Sequence, residues 1–119
     1  MEKLTVQEEE AMMVIWKIGE ADVKAVLNNM DKKIPYTTLA STIKKLENKK
    51  YLTSRLIGNS YLYRPIVRET VYKNEFMKKV VIQHFRNSYK SLVSFFVEQE
   101  AITTRELKDI INLIESGKK

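Results

Sequence analysis

The chain has no cysteine and a single histidine, His84. Without thiols there can be no disulfide, no thiolate metal site and no cysteine nucleophile. A zinc site built on His84 would need carboxylates to complete it; no ligand spacing offers one, and no metal or cofactor is expected. Glycine occurs 3 times and proline twice in 119 residues, so little interrupts helix formation. No apolar run reaches the ~18 residues of a membrane span. The start, Met1-Glu2-Lys3-Leu4-Thr5, lacks the basic-then-apolar layout of a signal peptide. A cytoplasmic protein without membrane insertion is expected. There is also no Ser/His/Asp set and no phosphate-binding glycine loop. Glu8, Glu9 and Glu10 fall in the first turn of an expected helix, where acids favour the helix dipole, and read as solvated groups. His84 stands beside Phe85 in an apolar helix and reads as structural. No enzyme is expected.

What is present suits a folded, helix-rich chain. Hydrophobic residues make up 44% and charged residues 30%, too apolar a mixture for a disordered chain. The length fits one small domain with a helical appendage. A chain of this size buries too little surface to be generously stable by itself, and a dimer would help. Lys and Arg number 21 against 15 Asp and Glu, a net charge of +6. That balance is compatible with a polyanionic partner but does not establish one.

The expected order of elements is three helices, a strand pair, then more helices. Residues 5–17 read as an amphipathic helix with Thr5 and Glu8 at capping-box spacing, Ala11, Met12, Ile15 and Trp16 on one face, and Gly19 at its end. Asp22 can cap a shorter helix with Val23, Val26, Leu27 and Met30 inward. Pro35 precedes a third helix, Tyr36 to Lys49, whose buried stripe is Leu39, Ile43 and Leu46. Residues 51–57 and 61–66 read as strands joined by a tight turn at Gly58-Asn59, with Pro65 closing the second. Beyond Val67 the period is helical again. Val71, Phe76, Val80, Val81 and Phe85 share one long helix, Leu92 to Val97 lie in the next, and Thr103 with Glu106 opens a last one. The Gly-Lys-Lys end is expected to fray.

This order is that of a winged helix: mainly α with a small β-hairpin, a winged helix-turn-helix domain over 1–67 and a helical dimerisation region over 68–119. In a helix-turn-helix the second helix of the motif lies in the major groove. Its outer face needs short donors and acceptors for base edges and cations for phosphates. Thr37, Thr38, Ser41 and Thr42 can do the first, Lys44, Lys45 and Lys49 the second, and Tyr36 can donate its hydroxyl to a phosphate. The same side chains would also suit a merely solvated helix face; the hairpin at wing distance favours DNA. In the wing, Arg55 can reach a phosphate, and Arg64 is the other cation. Leu56 and Ile57 beside the tip are unexpected on a solvated hairpin, which could equally pack on the core.

The C-terminal half of the chain, roughly residues 68–116, has more apolar positions than one helix face needs. Phe76, Val80, Val81, Phe85, Leu92, Phe95, Phe96, Leu107, Ile110, Ile111 and Ile114 are the candidates for pairing with a second copy. An enlarged internal core or a ligand pocket would use the same residues.

Four stretches resemble the penicillinase-repressor (BlaI/MecI/CopY) family of winged-helix transcriptional repressors. Leu4-Thr5, Glu8, Met12 and Ile15-Trp16 are similar to its first helix. Tyr36-Thr37-Thr38-Leu39 with Lys45-Leu46 resembles its recognition helix. Lys49-Lys50-Tyr51-Leu52 and Tyr61-Leu62-Tyr63-Arg64-Pro65 resemble its wing strands. Phe85, Ser88, Leu92-Val93 and Phe96-Val97-Glu98, then Glu106-Leu107, resemble its C-terminal helices. The resemblance implies a homodimer that binds a dyad-symmetric, double-stranded DNA operator and represses transcription. It also implies a membrane sensor protease as partner, whose signal leads to cleavage at an Asn-Phe bond. That bond aligns with Phe95-Phe96, where the asparagine is missing, which leaves this step open. The copper branch needs cysteines that this chain lacks. Lys50 and Asn87 stand where the family commonly has glycine. The expectation is a repressor, against two rivals: a winged-helix protein-interaction module and a nonspecific nucleoid-type DNA binder.

Overall fold

The computed structural model describes residues 1–117. The order is α1 (Val6–Ile18), α2 (Val23–Asn28), α3 (Tyr36–Asn48), β1 (Leu52–Ile57), β2 (Ser60–Pro65), α4 (Glu69–Phe85), α5 (Tyr89–Glu98) and α6 (Thr104–Glu115). The expected fraying at Lys118-Lys119 lies outside the described residues. Contacts divide the chain into two units, Met1–Lys73 and a second beginning at Asn74, with the division inside α4.

Local chemistry sets the helix ends of the first unit. The Thr5 hydroxyl accepts from the Glu8 amide at 3.1 Å, and the Glu8 carboxylate accepts from the Thr5 amide at 2.9 Å, closing the capping box of α1. Asp22 caps α2 by accepting from the Ala25 amide at 2.8 Å. At the end of α3 the Tyr51 amide bonds to the Leu46 carbonyl and the Lys50 amide to that of Glu47, both at 3.0 Å. This is the paired-bond stop that needs a left-handed residue after the cap. Lys50 takes that conformation, φ 67, where a Cβ is unfavourable. Lys50→Gly is therefore expected to stabilise the chain by roughly 0.5–1 kcal/mol in a thermal or urea melt, the relief of strain exceeding the added freedom of the unfolded chain.

The three helices bury one apolar stripe each around a common core. Ala11, Met12 and Ile15 of α1, Val23 and Val26 of α2, and Leu39, Ile43 and Leu46 of α3 meet Tyr51, Leu52 and Tyr63 there. The strands pair antiparallel, from Leu52 opposite Pro65 to Ile57 opposite Ser60. Gly58 and Asn59 make the two-residue turn, with Gly58 at φ +59 as tight hairpins require. Ala21 adds a single bridge to the hairpin, its amide donating to the Tyr63 carbonyl at 2.9 Å and its carbonyl accepting from the Tyr63 amide at 2.8 Å. The bridge has no signature in the sequence, because one extended residue between two helices carries no alternation.

The expected boundary at 67/68 falls at the end of the hairpin, but the packing of the first unit continues beyond it. The Trp16 indole donates to the Val67 carbonyl at 2.8 Å, and the Tyr72 ring sits 5.4 Å from Trp16 and 5.9 Å from Tyr51. The Tyr72 hydroxyl donates to Glu9, and burial together with that bond pushes its pKa up.

The second unit comprises the rest of α4, with α5 and α6. Ser88 caps α5 and Thr103 with Glu106 forms the capping box of α6. The Phe85 and Phe95 rings lie 5.6 Å apart edge to face, as do those of Phe95 and Phe96. Among the described residues of this unit, Val81 alone is buried.

Candidate nucleic-acid interface

The outer face of α3 is the first component. With Leu39, Ile43 and Leu46 turned to the core, Tyr36, Thr37, Thr38, Ser41, Lys44 and Lys45 are exposed. Thr37, Ser41, Lys44, Lys45 and Asn48 follow helical spacing along one stripe. Pro35 provides no side-chain cap, which leaves the amides of the first turn available to an acceptor such as a phosphate oxygen. Lys44 lies 3.4 Å from Glu47, whose other oxygen accepts from Ser54 at 2.5 Å and ties α3 to β1. Lys45 forms no ion pair among the described residues. This face can offer hydroxyls to base edges and ammonium groups to phosphates.

Two expected members differ in their surroundings. Thr42 is half-buried, and its hydroxyl donates at 3.0 Å to the Thr38 carbonyl of its own helix. Lys49 turns away from the stripe. Its Nζ donates to the Glu8 carboxylate at 2.6 Å and to the Lys3 carbonyl at 2.8 Å, while the Tyr51 hydroxyl donates to the Glu2 carbonyl at 2.6 Å. Lys49 thus fastens the N-terminal residues to the end of α3 instead of facing solvent with Lys44 and Lys45.

Of Glu8, Glu9 and Glu10, all expected to be solvated, the expectation is corrected for Glu8. Glu8 is 2% exposed. Burial by itself would raise its carboxyl pKa; the bonds from Lys49 and Thr5 outweigh that and hold it below the ordinary carboxylate value. Glu9 accepts from Tyr72, and Glu10 pairs with Lys32 at 3.1 Å. A signal for Glu8 was present: it lies on the same helical stripe as Ala11, Met12 and Ile15, and a charge on a core stripe needs a partner.

The hairpin is the second component. Leu56, Ile57 and Tyr61 expose their side chains near its tip, so these apolar residues do not pack on the core. Arg55 is exposed but engaged: its Nε and Nη2 donate to the two oxygens of Glu20 at 2.7 and 2.8 Å. The Arg55 bond holds the Glu20 carboxyl below its ordinary pKa, and the nearby Arg64 contributes.

In the second unit, Phe76, Phe95, Phe96, Ile110, Ile111 and Ile114 are exposed, and Val80, Phe85, Leu92 and Leu107 are partly buried. Val81 is fully buried, so it has no surface to present to another chain and leaves the set of pairing candidates.

Three helices around one core, a recognition-type third helix and an antiparallel hairpin behind it define a winged-helix protein. The chain belongs to the penicillinase repressor family, whose model matches residues 4–116; this is a family of transcriptional repressors, not of enzymes. Similar curated proteins include the methicillin resistance regulatory protein MecI of Staphylococcus aureus (strain N315), 23% identical over 107 residues that cover 88% of this chain and 87% of the relative. The penicillinase repressor of Bacillus licheniformis is 22% identical over 111 residues, 92% of this chain and 87% of the relative. A solved structure, from work on the mechanism for regulation of DNA binding of Bordetella bronchiseptica BpsR by 6-hydroxynicotinic acid, matches with a TM-score of 0.50 at 15% identity, over 97% of this chain and 75% of that one. At that identity the likeness concerns the fold. Among the described residues no helix is long and apolar enough to cross a membrane, and no acid-histidine cluster could hold a metal ion.

Proposed function

We propose that the chain is a homodimeric repressor that binds a dyad-symmetric operator in double-stranded DNA, with α3 of each copy in a major groove. The observation that carries this reading is the exposed hydroxyl-and-lysine face of α3, set beside the hairpin. Ser41, Thr37 and Thr38 contact base edges, Lys44 and Lys45 neutralise phosphates, and Tyr36 donates to a phosphate at the helix start. Two copies on one operator place their recognition helices one helical turn, or a multiple, apart. The bound dimer excludes polymerase from a promoter, a role performed in the cytoplasm. The apolar side chains exposed on α4, α5 and α6 support pairing, since a stable soluble unit rarely leaves so many in water. Release by a sensor protease is not part of the proposal, because Phe95 stands where that cleavage requires asparagine.

Lys45→Ala is expected to weaken binding to all duplexes alike and to flatten the plot of log affinity against log salt by about 0.9, one phosphate contact. Ser41→Ala is expected to change the preference among operator variants by about 1 kcal/mol or more. Salt titrations and gel shifts on palindromic and random duplexes read both effects. A docking module would give no saturable shift, a nonspecific binder would shift both duplexes equally, and unchanged binding by both variants would remove α3 from the interface.

A further inference from the structure

One of the two wing cations, Arg55, is already engaged. Arg55 projects from β1, the hairpin strand that an operator would meet beside α3, yet the Nε–Nη2 edge of its guanidinium is turned onto Glu20. The pair is bidentate, the geometry in which a guanidinium binds a carboxylate or a phosphate most strongly. A phosphate taking that edge would need the same two donors, and one approaching the remaining Nη1–Nη2 edge would meet the repulsion of the Glu20 carboxylate and a cation whose charge is already compensated.

Glu20 is held for this contact by its backbone. It lies between Gly19, which ends α1 at φ 85, and Ala21, whose two bonds to Tyr63 attach this segment to β2. Asp22 follows as the cap of α2. The segment is pinned on both sides, so the carboxylate stays beside the hairpin instead of moving freely in solvent. The Arg55 side chain is 58% exposed and that of Glu20 is 29% exposed, so the ion pair sits at the surface, where a polyanion can reach it.

We infer that Glu20 is a built-in competitor for DNA phosphate: it holds Arg55 in an internal ion pair that gives way when the wing meets the operator backbone. The inference rests on the proposed DNA-binding function and adds to it a residue that lowers affinity. A surface ion pair contributes little to stability, so Glu20 sets the strength of the wing contact rather than the fold. The effect is the same on every sequence, because phosphates carry no base identity.

The test is a salt titration of DNA binding by the full chain and four variants: Glu20→Gln, Arg55→Ala, the two combined, and Lys45→Ala. Glu20→Gln keeps the shape of the side chain and removes its charge. It is expected to tighten binding to operator and random duplexes alike, and to steepen the salt slope by about 0.9. That slope makes one added phosphate contact worth roughly eightfold at 0.1 M salt. On the Arg55→Ala background the gain is expected to vanish. A gain of equal size on both backgrounds would overturn the inference, since it would reflect general charge alone; so would no gain, or a loss, in Glu20→Gln. The wild-type chain supplies an independent readout. The Arg55 Nε–H resonance, protected while paired with Glu20, should shift on addition of DNA, and an unmoved resonance in saturated complex would also overturn it. If Lys45→Ala leaves binding unchanged, the fault lies in the DNA-binding reading itself; if Lys45→Ala weakens binding and Glu20→Gln does nothing, it lies in the inference.

Discussion

Ile111→Lys is expected to sediment as a monomer and to lose operator affinity by a factor of about 10²–10⁴, the loss that follows when two linked contacts become one. Ile111 is 50% exposed on α6, with Ile110 and Ile114 beside it at helical spacing. Its replacement removes little from the interior of its own unit. A lysine in the second half of α6 also suits the negative end of the helix dipole, so the helix should survive. Between two copies the same lysine would have to leave water without a partner, which costs far more than the apolar area it replaces. Sedimentation equilibrium reads the assembly, and titration of full-operator against half-site duplexes reads the coupling. On a half-site the variant and the parent should bind alike. A variant that stays dimeric, or a parent that is monomeric at micromolar concentration, would place the pairing surface elsewhere or remove it.

The elements were legible because their ends are written in local chemistry. Thr5 with Glu8, Asp22, and Thr103 with Glu106 mark helix starts by short-range side-chain bonds, and Gly58-Asn59 marks the turn. The inward stripe of α3 follows from the spacing of Leu39, Ile43 and Leu46, and its outward face from what is left. What could not be read locally are contacts between residues far apart in sequence. Lys49 looks like any lysine at the end of a basic helix until Glu8, 41 residues earlier, is placed beside it. Arg55 looks like a free wing cation until the Ala21 bridge brings Glu20, 35 residues earlier, alongside. Val81 shares an apolar pattern with Val80 and Phe85, and periodicity does not say which of them the unit itself covers. The residues exposed on the candidate face were thus readable, while the division of its cations into free and engaged needed the fold.

That division has a large consequence at Lys49. Lys49→Ala is expected to destabilise the chain by about 2–3 kcal/mol, because it strips a buried carboxylate of its charged partner. For a unit of this size that lowers Tm by on the order of 10 °C or more. Glu8 would retain the Thr5 amide but lose the 2.6 Å bond from Nζ, and the segment at Lys3 would lose its tie to α3. The salt slope of DNA binding should not change, in contrast with Lys45→Ala; an equal flattening in both would return Lys49 to the phosphate contacts. The pH dependence gives the sign. In the parent chain the folded Glu8 carboxyl lies below the ordinary value of 4.5, so its contribution is present above that value and is lost as pH falls through the folded pKa. Without Lys49 the effect of burial is no longer outweighed, and the folded carboxyl takes up its proton more readily than the unfolded one. The stability difference between parent and variant should therefore shrink as the pH is lowered through this range. Urea melts at stepped pH measure it directly. A difference that stays constant on acidification would show that Lys49 supports the fold through the Lys3 carbonyl and its packing, and that the ion pair with Glu8 contributes nothing.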